Sequence, residues 1–266
     1  MNSSSLNIDL SAVQRQKDMS RSYLIIPLVL VFLTFSCKSA KVPESEIPET
    51  VTSNTEGSGP ELQVEFIRGE AHNHPLMAIW VESESGKFIQ TLFVAESLGK
   101  GIFQHGDATS GKWLPAAIRR PAALPVWSHS RGVKEPDGLF VPSPENAVAD
   151  AYTGATPQVS FVLNTRLDTP GPDRFQVYFE VNQTWDWNEY WTNNKFPDDE
   201  YYKTSCQPSL IYMALVDLND DKNEYPLKLI GRGHHSGKDG NIYTDLETMT
   251  TALNITRSIK VREISN

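Results

Sequence analysis

From residue 61 onward, short β-branched and aromatic runs recur between clusters of Gly, Pro, Asn and Asp. Residues 62–68 (LQVEFIR) alternate in polarity, the period-two pattern of a strand with one buried face. Residues 76–82 (LMAIWVE) and 88–95 (FIQTLFVA) flank SESGK at 83–87, a hairpin signal. Residues 159–167 and 174–182 predict a second hairpin around TPGP at 169–172. In its second arm Phe175, Val177, Phe179 and Val181 alternate with Gln176, Tyr178 and Glu180, which puts the apolar set on one face. Residues 210–218, 227–231 and 255–264 add three strands, and 245–252 reads as a short helix or turn. Eight such strands predict an all-β fold, an antiparallel immunoglobulin-like β-sandwich spanning residues 61–266 as a single domain. Residues 97–150, rich in Gly and Pro, read as a long irregular insertion carrying Trp113 and Trp127.

The pattern before residue 61 is different. Residues 23–35 (YLIIPLVLVFLTF) form a thirteen-residue apolar run behind Arg21, too short for a comfortable membrane span and of the length of a signal-peptide core. It ends in Thr34, Phe35, Ser36 and Cys37, and a small residue directly before Cys resembles a bacterial lipobox. Residues 1–36 are therefore expected to be a signal peptide, with Met19 as the better start, and Cys37 the lipidated residue that anchors the chain to a membrane of the cell envelope, the outer membrane by expectation. Residues 37–60, rich in Pro, Ser, Thr, Glu and Gly, predict a flexible tether reaching roughly 25 Å.

Composition narrows the partners. The chain has 24 Lys and Arg against 33 Asp and Glu, a net charge of −9, and no basic run follows Cys37, which argues against nucleic acid. Its 2 cysteines have different expected fates, Cys37 acylated and Cys206 an inert, partly buried thiol, so no disulfide is expected.

Several clusters carry candidate chemistry. His72 and His74, with His234 and His235 in a Gly-rich loop, supply imidazoles but no carboxylate at a diagnostic metal spacing, so no metal site is expected. Ser128, His129 and Ser130 lack the G-x-S-x-G turn of a hydrolase. Arg119 and Arg120 are candidates for a phosphate. Residues 185–191 (WDWNEYW) could stack Trp185 or Trp187 on a sugar or an isoalloxazine ring, or pack as a corner of the sandwich.

The most informative stretch is 150–156, DAYTGAT. It resembles the flavinylation motif D-x-x-[S/T]-G-A-T, in which a flavin transferase attaches FMN through a phosphoester to the last Thr. The chemistry asks for a hydroxyl that attacks phosphorus, here Thr156. It asks too for a slim residue beside it, Gly154, and a carboxylate to orient the segment or take a proton, Asp150. Thr153 fills the remaining specified position. The same residues also read as a turn, with Gly154 at positive φ and Pro157 stiffening the exit.

In order, AIWVE at 78–82, GKFIQTL at 86–92, KWL at 112–114, PVW at 125–127, DAYTGATP at 150–157, FEVN at 179–182 with NE at 188–189, GRGHHSGKDG at 231–240 and TTA at 250–252 make residues 62–264 resemble a bacterial family of predicted periplasmic proteins of unknown function. Members of that family are associated with PepSY-type membrane proteins and flavin transferases. The family resemblance supplies no known activity of its own. Its association with flavin transferases adds to what the 150–156 motif implies, a lipid-anchored electron carrier with FMN on Thr156 and a membrane redox protein as partner, not an enzyme with its own substrate. The alternative is a non-catalytic ligand- or partner-binding module of the envelope.

Overall fold

A computed structural model describes residues 47–222 and 224–264. The signal-peptide reading of residues 1–36, the Met19 start and the lipidation of Cys37 lie outside the described residues. Two sheets dominate. The five-stranded one orders β1 (Glu49–Thr52), β8 (Phe161–Arg166), β2 (Glu61–Arg68), β13 (Thr256–Glu263) and β11 (Tyr225–Pro226) side by side. The six-stranded one orders β12 (Lys228–Arg232), β10 (Leu210–Asp217), β9 (Arg174–Asn182), β3 (Leu76–Ser83), β4 (Phe88–Ala95) and β7 (Thr153–Gly154). A separate hairpin joins β5 (Ile102–Asp107) to β6 (Leu114–Ala117), and the helices α1 (Glu96–Gly99), α2 (Pro125–Ser130) and α3 (Glu200–Lys203) are all short.

Alternation decides how the sheets meet. Leu62, Val64 and Phe66 of β2 and Phe161 and Leu163 of β8 turn one way and join Val177, Phe179 and Val181 of β9 in one apolar core. Phe66, Phe161 and Phe179 touch at its centre, with ring centroids 5.1 to 5.6 Å apart. Burying a side chain of that size stabilises the fold by about 2–3 kcal/mol. In the constant-type immunoglobulin order the first and last strands fall in opposite sheets; here β2 and β13 pair antiparallel within one sheet.

Strand β3 does not alternate. Every residue from Leu76 to Glu82 is buried, because its outer face is covered too. Ala78 and Trp80 pack outward against Leu124, Val126, Trp127 and Val141 in a second apolar cluster. The insertion at 97–150 is therefore a third layer over the six-stranded sheet. Buried carboxylates fasten it. Glu180, wholly buried on β9, accepts hydrogen bonds from the backbone N–H of Trp127 (2.7 Å) and Val126 (3.3 Å) at the start of α2 and from Ser209 Oγ (2.5 Å). Glu82 accepts from Trp80 Nε1 at 2.7 Å and from the Ser130 hydroxyl at the other end of α2. Within the insertion, Glu135 takes Asn146 Nδ2 at 2.9 Å and Ser143 Oγ at 3.2 Å.

Two expectations change. Residues 159–182 are not a hairpin: both edges of β8 are taken by β1 and β2, and both edges of β9 by β3 and β10, so TPGP carries the chain between sheets. Nor does the tether reach residue 60. Strand β1 runs parallel to β8, which makes the sheets mixed rather than purely antiparallel. Ser53 is buried, donating to Leu92 O at 2.9 Å, and Gly57 and Gly59 lie so close to Leu167 and Thr169 that a Cβ would sit 2.3 Å from a carbonyl oxygen. The strand boundaries expected from periodicity otherwise agree closely with the structure.

Burial pushes the Glu180 carboxyl up from 4.5 to about 7, against its three hydrogen bonds. Because the folded value is raised, the folded chain holds a proton that the unfolded chain releases. That contribution is full below about pH 4.5 and is lost as pH rises through about 7. His235 acts in the opposite sense: burial lowers it to about 4, so its contribution is lost as pH falls below 6.5. Comparing wild type with Glu180→Gln isolates the first effect. In urea titrations, the advantage of wild type over the variant should shrink by roughly 2–3 kcal/mol between about pH 5 and about pH 8, and an unchanged difference would assign the pH dependence to other groups.

Candidate functional site: the Thr156 groove

The segment 150–156 lies at the end of the six-stranded sheet where β4 and β9 finish. Asp150–Tyr152 makes one 3-10 turn, and Thr153 and Gly154 then pair parallel with Val94 and Ala95. Gly154 is there for space. Its φ is not positive, and a Cβ would stand 2.8 Å from Cε2 of the buried Phe93 ring. The Pro157 carbonyl downstream lies 3.2 Å from Nε2 of buried His72, whose pKa is lowered by desolvation. Ala155 and Thr156 thus span the gap between two fixed points, and the turn with positive φ at Gly154 is not formed.

Asp150 does not reach toward Thr156. Its exposed carboxylate is 2.9 Å from Lys100 Nζ, which also meets Glu96 at 3.0 Å, one helical turn earlier in α1. Hydrogen bonds to Asp150 and Glu96 push the Lys100 ammonium pKa up, so it stays charged. Tyr152 donates its hydroxyl to Asp168 at 2.7 Å, and partial burial with that carboxylate raises its pKa to about 12. Thr153 turns its hydroxyl back to Asp150 O at 3.5 Å. The Thr156 hydroxyl has no partner among the described residues; only its carbonyl is used, by Gln158 Nε2 at 2.8 Å.

Thr156 lines an open groove of about 300 Å³ with Gly154, Glu96, Lys100, Ile102 and Gln104. Its lining offers the hydroxyls of Thr156 and Ser97, the Lys100 ammonium with the Glu96 carboxylate it pairs, the Gln104 amide, and the exposed Ile102 as an apolar wall. No base is hydrogen-bonded to Thr156, and an unassisted hydroxyl is a weak nucleophile. Lys100 was missed from the sequence, although its i,i+4 spacing from Glu96 ahead of a Gly was available as a signal.

Trp185 and Trp187 follow β9 at the same end of the sheet but line another groove, of about 470 Å³, with Asn193, Asn194, Pro197, Lys203 and Cys206. The two grooves share no lining residue, so the structure does not bring these indoles to Thr156. Trp185 has φ of +61° and Cys206 +60°, left-handed conformations that cost each about 1–3 kcal/mol. Burial pushes the Cys206 thiol pKa up, as suits an inert thiol.

The other candidates have structural occupations. His235 stacks on Phe196 with centroids 4.3 Å apart and on His234 at the same distance, and no group of three or more metal-ligating side chains occurs among the described residues. His129 Nδ1 meets Pro125 O at 2.8 Å while Ser130 is held by Glu82, so no triad forms. Arg119 pairs with Asp137 at 2.6 Å, and Arg120 lies over Phe103 at 4.1 Å.

Comparison with protein-family models, curated proteins and solved structures gives no match for this chain. Its chemistry is therefore argued from these residues. Gly154→Ala should destabilise the fold by about 1–3 kcal/mol by overpacking against Phe93. The urea midpoint should fall with the slope unchanged; an unaltered midpoint would show that the Gly serves something other than space.

Proposed function

We propose that the chain is a lipid-anchored electron carrier of the cell envelope, held at the membrane through Cys37, with FMN attached to Thr156 by a flavin transferase. The carrying observation is the Thr156 hydroxyl. It is unpaired, not hydrogen-bonded to a base, and set on the rim of a groove beside the charged Lys100. Those are properties of a substrate residue rather than of a catalytic one.

In the modification, Thr156 Oγ1 forms a bond to the phosphorus of an activated flavin phosphate. The bond from that phosphorus to its leaving group breaks, and the hydroxyl proton passes to a base of the transferase. Lys100 would pair with the resulting phosphodiester, exchanging part of its contact with Asp150 and Glu96. Ile102 offers apolar surface to the ring system. When bound, the flavin supplies one- and two-electron transfer, and the protein positions it and sets its surroundings. A membrane redox protein is the expected partner, in keeping with the resemblance noted for residues 62–264.

Two facing sheets of short strands support the immunoglobulin-like class of sandwich as the accompanying architecture, with the β2–β13 pairing as its departure. The exposed indoles of Trp185 and Trp187 favour a second, compatible reading as a ligand-binding module of the envelope.

Co-expressed with a flavin transferase, wild type should keep yellow fluorescence on a denaturing gel, Thr153→Ser, which preserves the motif, should keep it, and Thr156→Val should lose it. Lys100→Met should slow labelling about tenfold, the value of one charge-assisted hydrogen bond. Absence of fluorescence from wild type, under conditions that label an established acceptor, would remove the carrier reading.

A further inference from the structure

The loop after β9 builds a second groove, and its construction suits a sugar. Residues 185–203 expose Trp185 (55 %), Trp187 (53 %), Tyr190 (43 %) and Tyr201 (45 %), a density of exposed aromatic surface that a packed corner does not need. The loop is nonetheless fixed. Buried Trp191 anchors it through Nε1 to Thr248 Oγ1 at 3.0 Å. Asn188 Oδ1 accepts from the N–H of Tyr190 and of Trp191 at 2.8 Å each, and Tyr202 donates its hydroxyl to Thr192 O at 2.6 Å.

The Trp185 indole is held by its edge. Trp185 donates its backbone N–H to Ser205 O at 2.7 Å and Nε1 to Lys203 O at 3.1 Å, with the Arg120 guanidinium 5.9 Å from its ring. Trp187 lines the groove beside Cys206, whose thiol donates to the same Lys203 O at 3.5 Å. Two non-glycine residues in left-handed conformation, Trp185 and Cys206, occur in this one groove. Backbone strain maintained by surrounding hydrogen bonds is a mark of preorganised sites.

The polar complement of the groove is neutral. The side-chain amides of Asn193 and Asn194 have no hydrogen-bond partner among the described residues, and each offers two donors and an acceptor. Lys203, the cation of the groove, is paired with Glu200 at 2.6 Å. Exposed indole faces suit the apolar C–H faces of a pyranose ring, and free amides suit its hydroxyl rim. A polyanion is disfavoured by the net charge of −9. A peptide bound by strand addition would need a free strand edge, and every lining residue lies outside the strands.

We infer that the groove of Trp185, Trp187, Asn193 and Asn194 binds a neutral glycan, one pyranose unit stacking on an indole while the Asn amides hydrogen-bond its hydroxyls. This goes beyond the flavin reading and is independent of it, since the grooves share no residue.

The test uses the full chain prepared without a flavin transferase, so that its outcome is separable from the Thr156 experiment. It is titrated with cello-, manno-, xylo-, malto- and chitohexaose while heat and Trp fluorescence are followed. At least one hexasaccharide should bind. Trp185→Gly, which suits the positive φ while deleting the indole, should weaken that binding at least about tenfold, and Trp187→Ala likewise. Asn193→Ala combined with Asn194→Ala should weaken it severalfold. Trp113→Ala, an equally exposed indole on the β5–β6 hairpin, should leave it unchanged. Melting curves identify any variant that fails to fold, and the remaining Trp variant then decides. No response to any of the five sugars, or undiminished binding in a folded Trp185→Gly or Trp187→Ala chain, would overturn the inference.

Discussion

The rest of the structure depends on the outer face of the six-stranded sheet being covered. Leu76, Ala78 and Trp80 point away from the core between the sheets, and exposing them would leave a broad apolar surface in water. The insertion at 97–150 supplies the cover, and α2 is seated by Glu180, a carboxyl with no exposure to solvent. Its oxygens receive the first free N–H groups of α2 and the Ser209 hydroxyl. A buried acid of this kind is costly unless hydrogen-bonded, and its donors come from both the sheet and the insertion. That shared demand seats α2 on the outer face of the sheet, while the ends of the insertion are set by α1 following β4 and by β7 pairing with Val94 and Ala95.

Both grooves follow from this placement. The end of β4 runs into α1, whose single turn positions Glu96 and Lys100. The return of the insertion lays Thr153 and Gly154 along the last residues of β4. The Thr156 groove is the space left between α1, β5 and that returning segment. At the same end, the connection between the adjacent antiparallel strands β9 and β10 is the Trp-rich loop. Arg120 lies over Phe103 of β5, with the Trp185 ring 5.9 Å away.

The strands were legible where local pattern and tertiary role agree. The alternation of 62–68 and 174–182 reports one face on the core, and the hairpin at 83–87 is closed by Ser83 and Lys87 as its residues suggest. Pairing was less legible. Nothing local in β8 tells that its edges go to β1 and β2, and ETVT at 49–52 was hidden inside a stretch with a tether's composition. The continuous run LMAIWV carried the missing clue, since burial on both faces requires a cover that only 97–150 could provide. Of the candidate site, Thr156 was visible as a motif residue. The role of Gly154 was not, because its contact with Phe93 is made across strands, and Lys100 joins the groove only through the fold.

The central claim is that Thr156 is a modified residue, and one measurement addresses it at the level of the atom. Cleavage after Lys134 and Arg166 releases residues 135–166, which contain Thr156 with Ser143, Tyr152, Thr153, Ser160 and Thr165 as competing hydroxyls. Tandem mass spectrometry of this peptide, from chain co-expressed with a flavin transferase, should place an FMN-sized increment on Thr156. An increment on another hydroxyl, or an unmodified peptide beside a fully labelled control acceptor, would contradict the account.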